Sequence, residues 1–265
     1  MNRLALITAL LLGCTSLTAF AQYEPTTEGA TFDKVYVPVG FDNNDHIQIV
    51  GEGLFENACY RPAPTVVNID QATQTINLGP VAYKYSGFCA QVVLPFERAI
   101  DIGVLKIGVW KVTQGKDPKV IAEIPVKPAL AFAPDGYLYA PVTQAFLRQS
   151  GKRTMVFVTG QFTNSCMSME KVEVNANGDT IVVQPIAQMG EKDCKEGSFP
   201  FQKAVRVPKL KEGRYLLHVR SLNGNAINNL VNIAADGTPS NPVPGPVPGP
   251  NPGENPIKVP GKAKK

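Results

Sequence analysis

GLFENAC, at residues 53–59, and GQFTNSC, at residues 160–166, share one pattern. Both read G-x-F-x-N-[AS]-C, and they lie 107 positions apart. A glycine, an aromatic residue, an asparagine and a cysteine that recur in the same order indicate a structural unit that occurs twice. The pattern therefore decides how the 265 residues divide into domains.

The similarity continues downstream of both motifs. At an offset of 105, residues 67–108 align with residues 172–213 without a gap, and 12 of the 42 positions are identical. Because the offset changes only between matching blocks, loops of different length join equivalent elements. We expect two domains of the usual size, at residues 31–128 and 133–238.

Each repeat has the pattern of an all-β domain. Short segments rich in Val and Ile are separated by Gly, Pro, Asn and Asp clusters at about ten-residue spacing, which is typical of a sandwich or barrel. In the first repeat these segments are VYVPV, HIQIVG, TVVNID, TINLG, CAQVVL, RAIDI, GVWKV and KVIAEI. In the second, Asn177-Gly178 is predicted at a hairpin turn. VTQAFLRQS, at residues 142–150, is the stretch nearest to a helical period. The predicted fold is two tandem immunoglobulin-like β-sandwich domains.

Four of the five cysteines lie in the repeats. Four cysteines allow three pairings, and matching positions in the two repeats select one of them. We predict the disulfides Cys59–Cys89 and Cys166–Cys194, one in each domain. Each disulfide closes a loop and lowers the conformational entropy of the unfolded chain. This should stabilise the folded domain by about 3 to 4 kcal/mol.

Residues 1–21 have the pattern of a secretory signal peptide. Arg3 precedes an apolar run at residues 4–12, and AFA at residues 19–21 resembles a cleavage site. The run is too short to span about 30 Å of hydrocarbon, so we expect no transmembrane segment in the mature chain. The predicted location is periplasmic or extracellular, where disulfides form. LLGC, ending at Cys14, leaves open a lipid anchor and hence an outer-membrane lipoprotein.

Residues 239–265 are dominated by Pro and Gly and are predicted to be a disordered basic tail. The body at residues 22–238 holds 21 basic and 21 acidic residues, so nothing indicates a nucleic-acid partner. Four lysines lie near the end of the tail, at positions 258, 262, 264 and 265. They either contact an anionic envelope surface or belong to a segment that happens to be basic.

GLFENAC, CAQVVLPFE and LKIGVW in the first repeat resemble motifs of a duplicated immunoglobulin-like β-sandwich domain in uncharacterised exported bacterial proteins. The second repeat keeps GQFTNSC and LKEGRY, but it has CKEGSFPFQ in place of CAQVVLPFE. The resemblance implies a secreted β-sandwich and carries no known active residues.

No combination of residues predicts catalysis, a cofactor or a metal. His46 and His218 lie in different repeats, with no acid or nucleophile paired to either at a telling sequence spacing. We interpret His46 as a turn-edge residue and His218 as a sheet-face residue. DNND at residues 42–45 lacks calcium-loop spacing and is predicted to be a turn, and the cysteine spacing disfavours zinc.

YKYSGF, at residues 83–88, is the strongest candidate for a binding surface. Tyr83, Tyr85 and Phe88 precede Cys89 in a predicted loop, and aromatic residues held by a disulfide make good binding anchors. The alternative is that they cover the edge of the sandwich.

The predicted function is that of an exported, non-enzymatic protein that binds or scaffolds at the cell envelope. Its partner would be an envelope protein or polysaccharide. Two alternatives stay open. One is a secreted inhibitor or accessory subunit of an extracytoplasmic enzyme. The other is a hydrolase with a site between the domains, which the lack of paired His, Ser and acid residues disfavours.

Overall fold

The computed structural model describes residues 24–129, 136–151, 153–191 and 193–240. The predicted signal peptide, Cys14 and residues 241–265 of the predicted tail lie outside these ranges. The first two residues of that tail are described, and they form a short strand because Ser240 pairs with Asn232. The tail prediction is therefore wrong for Pro239 and Ser240.

The described residues of the first domain form eleven strands. They are β1 (Thr26–Gly29), β2 (Lys34–Tyr36), β3 (Phe41–Asp42), β4 (Ile47–Phe55), β5 (Tyr60–Pro62), β6 (Val66–Asp70), β7 (Thr75–Gly79), β8 (Val81–Lys84), β9 (Leu94–Gly103), β10 (Gly108–Gln114) and β11 (Asp117–Lys127).

The described residues of the second domain form eight strands and one turn of 3₁₀ helix. They are β12 (Val142–Ser150), β13 (Arg153–Asn164), β14 (Met167–Asn177), β15 (Thr180–Met189), β16 (Glu196–Arg206), β17 (Gly213–Arg220), the 3₁₀ turn (Leu222–Gly224), β18 (Ala226–Ile233) and β19 (Pro239–Ser240).

Two sheets enclose the core of the first domain. One has the order β2-β4-β9 and the other β3-β11-β10-β7-β6, and a smaller sheet has the order β1-β8-β5. Because side chains alternate along a strand, Ile47 and Ile49 of β4 point inward while their neighbours point outward. Trp110 of the facing sheet is fully buried in the same apolar cluster.

The second domain has the same two-sheet plan. Its sheets have the orders β12-β13-β16 and β14-β15-β17-β18-β19. Val156 and Val158 from one sheet share a buried cluster with Ile181 and Leu217 from the other. The edge strand next to the last long strand differs between the domains. In the first domain it is β3, from the start of the domain, beside β11; in the second it is β19, from the end of the domain, beside β18.

Equivalent residues make equivalent contacts in the two domains. Trp110 donates a hydrogen bond from Nε1 to the carbonyl oxygen of Lys106 at 2.8 Å. Tyr215, 105 positions later, donates from its hydroxyl to the carbonyl oxygen of Lys211 at 3.1 Å. Each domain also pairs two strands in parallel, β7 with β10 and β15 with β17. The repeat seen in the sequence is thus matched in contacts and in topology.

Both predicted disulfides are present. Their Cα–Cα distances are 5.4 Å for Cys59–Cys89 and 5.2 Å for Cys166–Cys194, within the usual range. The all-β class and the two disulfide-bearing β-sandwich domains are confirmed. The domain boundaries stay predictions; β1 lies before the predicted first domain, and β19 lies after the predicted second one.

VTQAFLRQS, the stretch nearest to a helical period, forms β12, because β13 supplies backbone partners along its whole length. Two local predictions are wrong. Residues 89–93 of CAQVVL precede β9 instead of forming a strand, since the disulfide and the Ala58 N–H···O=C Ala90 bond of 3.0 Å hold them elsewhere. The hairpin turn lies at Gly178-Asp179 rather than at Asn177-Gly178, because Asn177 still pairs with Thr180.

The domains contact each other through the outward face of β4 and the β17–β18 hairpin. Tyr36 and Val50 form a buried apolar cluster with Leu216 and Leu230. Polar pairs surround this cluster: Lys34–Asp179, Gln48–Asn228, Glu52–Arg214 and Asp45–Arg220. The interface therefore has an apolar centre and a charged margin.

Candidate functional site

The repeated motif packs an aromatic ring against a glycine. A Cβ atom on Gly53 would lie 2.7 Å from the ring of Phe96, a distance that real contacts do not show. Phe55 stacks on the same ring at a centroid distance of 4.1 Å. The glycine is therefore required by close packing, and the motif phenylalanine completes the stack.

The end of the motif forms a turn that presents the cysteine. Oδ1 of Asn57 accepts a hydrogen bond from the backbone N–H of Cys59 at 2.9 Å, which is typical of an Asx turn. The chain then enters the disulfide with Cys89.

The second domain repeats this geometry. A Cβ atom on Gly160 would lie 2.6 Å from the ring of Phe201, and Phe162 packs on that ring at 4.5 Å. Oδ1 of Asn164 accepts from the N–H of Cys166 at 3.0 Å. The shared motif is thus a structural frame around the disulfide, and chemistry specific to one domain must come from residues outside it.

The structure places the three predicted binding residues differently. Tyr83 lies in β8, where its backbone pairs with Thr27 and Arg61, so its prediction as a loop residue is wrong. The hydrogen-bonding partners on both sides extend β8 beyond what the sequence pattern shows. Tyr85 and Phe88 follow the strand and lie in the loop, as expected.

Phe88 is the more exposed of the two loop residues. Its relative exposure is 106%, against 38% for Tyr85. The preceding residue, Gly87, has a φ of +124°, and no atom lies within 4 Å of the place where its Cβ would be. The loop is nonetheless anchored, because the N–H of Tyr85 donates to the carbonyl oxygen of Cys59 at 3.0 Å. Phe88 is therefore a protruding side chain on a tethered loop.

Further exposed apolar residues lie beside this loop. Val92 and Val93 follow the disulfide, and Leu54 of β4 is adjacent because β4 pairs with the start of β9. We call this surface the apolar tip; its members are Leu54, Tyr85, Phe88, Val92 and Val93. Val92 and Val93 were not predicted to belong to this surface because VVL has the pattern of a buried strand, and Leu54 joins it only through the pairing of β4 with β9.

The tip has an unusual charge pattern. No charged residue occurs between Lys84 and Glu97, a run of twelve positions. The aligned run at residues 190–201 of the second domain contains five charged residues. The same disulfide frame therefore carries an uncharged, apolar surface in one domain and a charged one in the other.

A buried ion pair joins the domains at the far end of β4. Arg220 is bonded from Nη1 to Oδ1 of Asp45 at 3.0 Å and from Nη2 to the carbonyl oxygen of Gly40 at 2.8 Å. The hydroxyl of Tyr139 accepts a further bond from Nη1 at 3.2 Å. DNND is a turn, as predicted, but Asp45 at its end is buried and forms an ion pair with Arg220 of the second domain. An arginine that ends the apolar strand RYLLHVR was the signal that could have revealed it.

The two histidines have the predicted local settings. His46 is exposed and faces Asp101, with Nδ1 3.3 Å from Oδ1. His218 lies on a sheet face that the first domain covers, and its Nδ1 is 2.7 Å from Oδ1 of Asn228. Burial lowers the pKa of His218 to about 4, and the nearby Arg220 acts in the same direction.

A small cleft between the domains brings several polar residues together. Asp45, His218 and Ser221 all line it, but its volume is only about 10 Å³, room for about one water molecule. Each of the three is bonded elsewhere: Asp45 to Arg220, His218 to Asn228 and Ser221 to the backbone of Val142. Their arrangement is that of a structural network and not of a nucleophile activated by a base.

Within the described ranges, no group of three or more His, Cys, Asp or Glu side chains is placed to hold a metal ion. Of the same residues, none belongs to a helix with the length and hydropathy that spanning a membrane requires.

One comparison with known proteins is informative. A family model described as the ORF11 beta-sandwich domain matches residues 156–233, from within β13 to the end of β18. The second domain is therefore similar to a known β-sandwich domain, in agreement with its fold. No curated protein and no solved structure matches the chain.

Proposed function

We propose that the protein is an exported, non-enzymatic module that binds or scaffolds at the cell envelope, with the apolar tip as its contact surface. The observation that carries this proposal is the full exposure of Phe88 on a loop tethered through Cys59 and Cys89. Large exposed apolar clusters on soluble domains commonly mark interaction sites. A loop held in place before binding also loses little conformational freedom on binding.

Other features support the remaining parts of the proposal. Two disulfides fit an oxidising compartment outside the cytoplasm. The family similarity names a β-sandwich domain and no enzyme. Asp45, His218 and Ser221 of the interdomain cleft are each hydrogen-bonded to another residue, which supports a binding role rather than catalysis.

Sedimentation with isolated cell envelopes tests the proposal. In the test variant residues 85–88 are replaced by Gly-Ser-Gly-Ser, and in the matched control residues 190–193 of the second domain are replaced in the same way. We expect the first replacement to reduce the bound fraction at least tenfold and the second to leave it unchanged. Equal binding by both variants, with wild-type circular dichroism, would show that the tip is not the contact surface.

The same loop supports one second candidate, an inhibitor or accessory subunit of an extracytoplasmic enzyme, because a rigid protruding aromatic can enter an enzyme cleft. A stable 1:1 complex with an extracytoplasmic enzyme, lost on replacement of residues 85–88, would favour it over envelope binding.

A further inference from the structure

The outer face of the sheet β12-β13-β16 in the second domain has an aromatic pair at its centre. Val156 and Val158 of β13 lie in the core, so Phe157 between them points outward. Its cross-strand neighbours are Phe146 of β12 and Ala204 of β16. The two phenylalanine rings stack at a centroid distance of 5.3 Å and are half-buried. An apolar pair therefore lies on the side of this sheet that faces away from the core.

The equivalent position in the first domain is the centre of the interdomain contact. There Val50 of β4 pairs with Tyr36 of β2 and with Ala99 of β9. At the motif offset of 107, Val50 aligns with Phe157. At the offset of 105, Ala99 aligns with Ala204, so the two cross-strand rows are equivalent. Tyr36 and Val50 are buried beneath the β17–β18 hairpin of the second domain. The aromatic pair thus occupies a position that a β-sandwich covers in the other repeat.

The free face of the first domain shows the opposite choice of residues. The covering pair Leu216–Leu230 of the second domain corresponds to the cross-strand pair Lys111–Glu123 of the first. Both Lys111 and Glu123 are exposed, as is usual for the solvated face of an antiparallel sheet. The aromatic pair departs from this pattern, which indicates a face that another surface covers. The first domain of a second copy is a poor cover, because Lys111 and Glu123 would lose their hydration.

Charge is distributed unevenly along the face around the aromatic pair. We call this surface the aromatic face and define it by three cross-strand rows, which are Gln144–Thr159–Gln202, Phe146–Phe157–Ala204 and Arg148–Met155–Arg206. One end is uncharged and rich in amide groups, the other end is basic, and none of the nine residues is acidic. Successive rows are about 6.8 Å apart along the strands, so the glutamine row and the arginine row are separated by about 14 Å.

We propose that two copies of the chain associate through their aromatic faces, about a two-fold axis that lies in the contact plane and crosses the strands at the phenylalanine row. This arrangement packs aromatic rings against aromatic rings. It also sets the arginine row of each copy over the glutamine row of the other, where amide oxygens accept hydrogen bonds from the guanidinium groups. A two-fold axis along the strands would instead place arginines over arginines, which is unfavourable.

The face meets the requirement of a two-fold contact, in which both subunits supply the same surface. Its apolar residues lie in the central row, and its charged residues lie only at one end, so the axis keeps the like charges of the two copies apart. The face spans three strands and is small for a protein interface, so we expect a weak dimer with a dissociation constant of about 10 µM. This inference goes beyond the proposed function and does not depend on the apolar tip.

Sedimentation velocity of the purified protein, from about 1 to about 200 µM, tests the dimer. Ala204→Arg adds bulk and charge at the exposed centre of the aromatic face without removing a packed side chain. We expect it to weaken dimerisation at least tenfold. The matched control is Val109→Arg, at an exposed position on the outer face of the first domain, which should dimerise like the wild type.

Gln202→Glu tests the direction of the axis. In the proposed arrangement the new carboxylate faces the arginine row of the other copy and should tighten the dimer by about threefold at low salt, with the gain lost at high salt. With the axis along the strands, the carboxylate would face its own counterpart and weaken the dimer. Weaker association of Gln202→Glu would therefore overturn the proposed arrangement.

The remaining outcomes are equally decisive. A wild-type protein that stays monomeric over the whole concentration range would overturn the inference and leave another molecule as the cover of the aromatic face. Equal dimerisation of the wild type, Ala204→Arg and Val109→Arg, with matching circular dichroism, would place the dimer contact elsewhere and also overturn it. Because these measurements contain no envelopes, their failure is distinguishable from a failure of the proposed envelope binding.

Discussion

The outer faces of the two five-stranded sheets serve different purposes in the two domains. In the first domain, Val109 and Lys111 of β10 face solvent. At the aligned positions of β17 the second domain has Arg214 and Leu216, which contact the first domain. The aligned strands β10 and β17 therefore present a free surface in the first domain and an interface in the second.

The disulfide ends of the two domains also differ, in their charge. The first domain, whose sheet face is free, carries the uncharged apolar tip, whereas the second carries charged residues on the same frame. The core positions of the two copies are alike because they must fill the same interior. Their surfaces are not subject to that requirement, so the domains differ where they meet each other and at their disulfide ends.

Breaking the buried ion pair should lower the free energy of unfolding more than any other change considered, because it leaves a buried charge without a partner. The first domain has no counterpart of this pair. Arg220 aligns with Gly115, and Arg220→Met would leave the carboxylate of Asp45 buried without its charged partner. We expect a loss of about 3 to 5 kcal/mol in the free energy of unfolding. Urea unfolding measures it, with Lys111→Met as an exposed control that should change stability by less than about 0.5 kcal/mol. A loss below about 1 kcal/mol would mean that this pair does not hold the domains together.

Removal of either disulfide should cost nearly the same stability, because the loops of 30 and 28 residues are alike. For Cys59→Ala/Cys89→Ala and for Cys166→Ala/Cys194→Ala we expect losses of about 3.5 kcal/mol each. Envelope sedimentation below the unfolding transition should then distinguish the pairs, since only the first pair tethers the apolar tip. Equal loss of binding in both variants would contradict a specific role for the first domain.

Stability should fall in acid through His218, whose aligned residue in the first domain is Thr113. The buried ring has a pKa of about 4, below its usual 6.5, so the unfolded chain binds the proton more readily than the folded one. Stability is therefore lost as the pH falls from about 6.5 towards 4, by about 3 kcal/mol in total. Unfolding measured from pH 7 to pH 4 should show this slope in the wild type and a flatter one in His218→Gln. Parallel curves would assign the acid sensitivity to other groups.

The smallest effect is expected at the aromatic corner that both domains share. Tyr215→Phe removes only the bond to the carbonyl oxygen of Lys211 and should cost about 1 kcal/mol. Tyr137→Phe, at an exposed tyrosine of the same domain, is the control and should be neutral. A neutral Tyr215→Phe would imply that packing of the ring, and not its hydroxyl, is what the two domains have in common.

Much of the fold could be predicted because it depends on residues that recur. The motif glycines, asparagines and cysteines marked the repeat, and the repeat selected the disulfide pairing. Local predictions failed where tertiary contacts overrode the local pattern, as at residues 89–93, which the disulfide and the bond from Ala58 to Ala90 hold outside β9. For the candidate site, Tyr85 and Phe88 were predicted, whereas Leu54 joins them only through the pairing of β4 with β9.

The sequence by itself determined the all-β class, the two copies and their disulfides, because alternation, turn residues and spacing are local properties that a linear pattern preserves. Only the tertiary structure decided which strand faces are covered and which stay free. That outcome depends on contacts such as Asp45 with Arg220, 175 residues apart, and on the surface that domain packing leaves exposed around Phe88. Neither has a local signature, since each depends on how segments far apart in the sequence pack together.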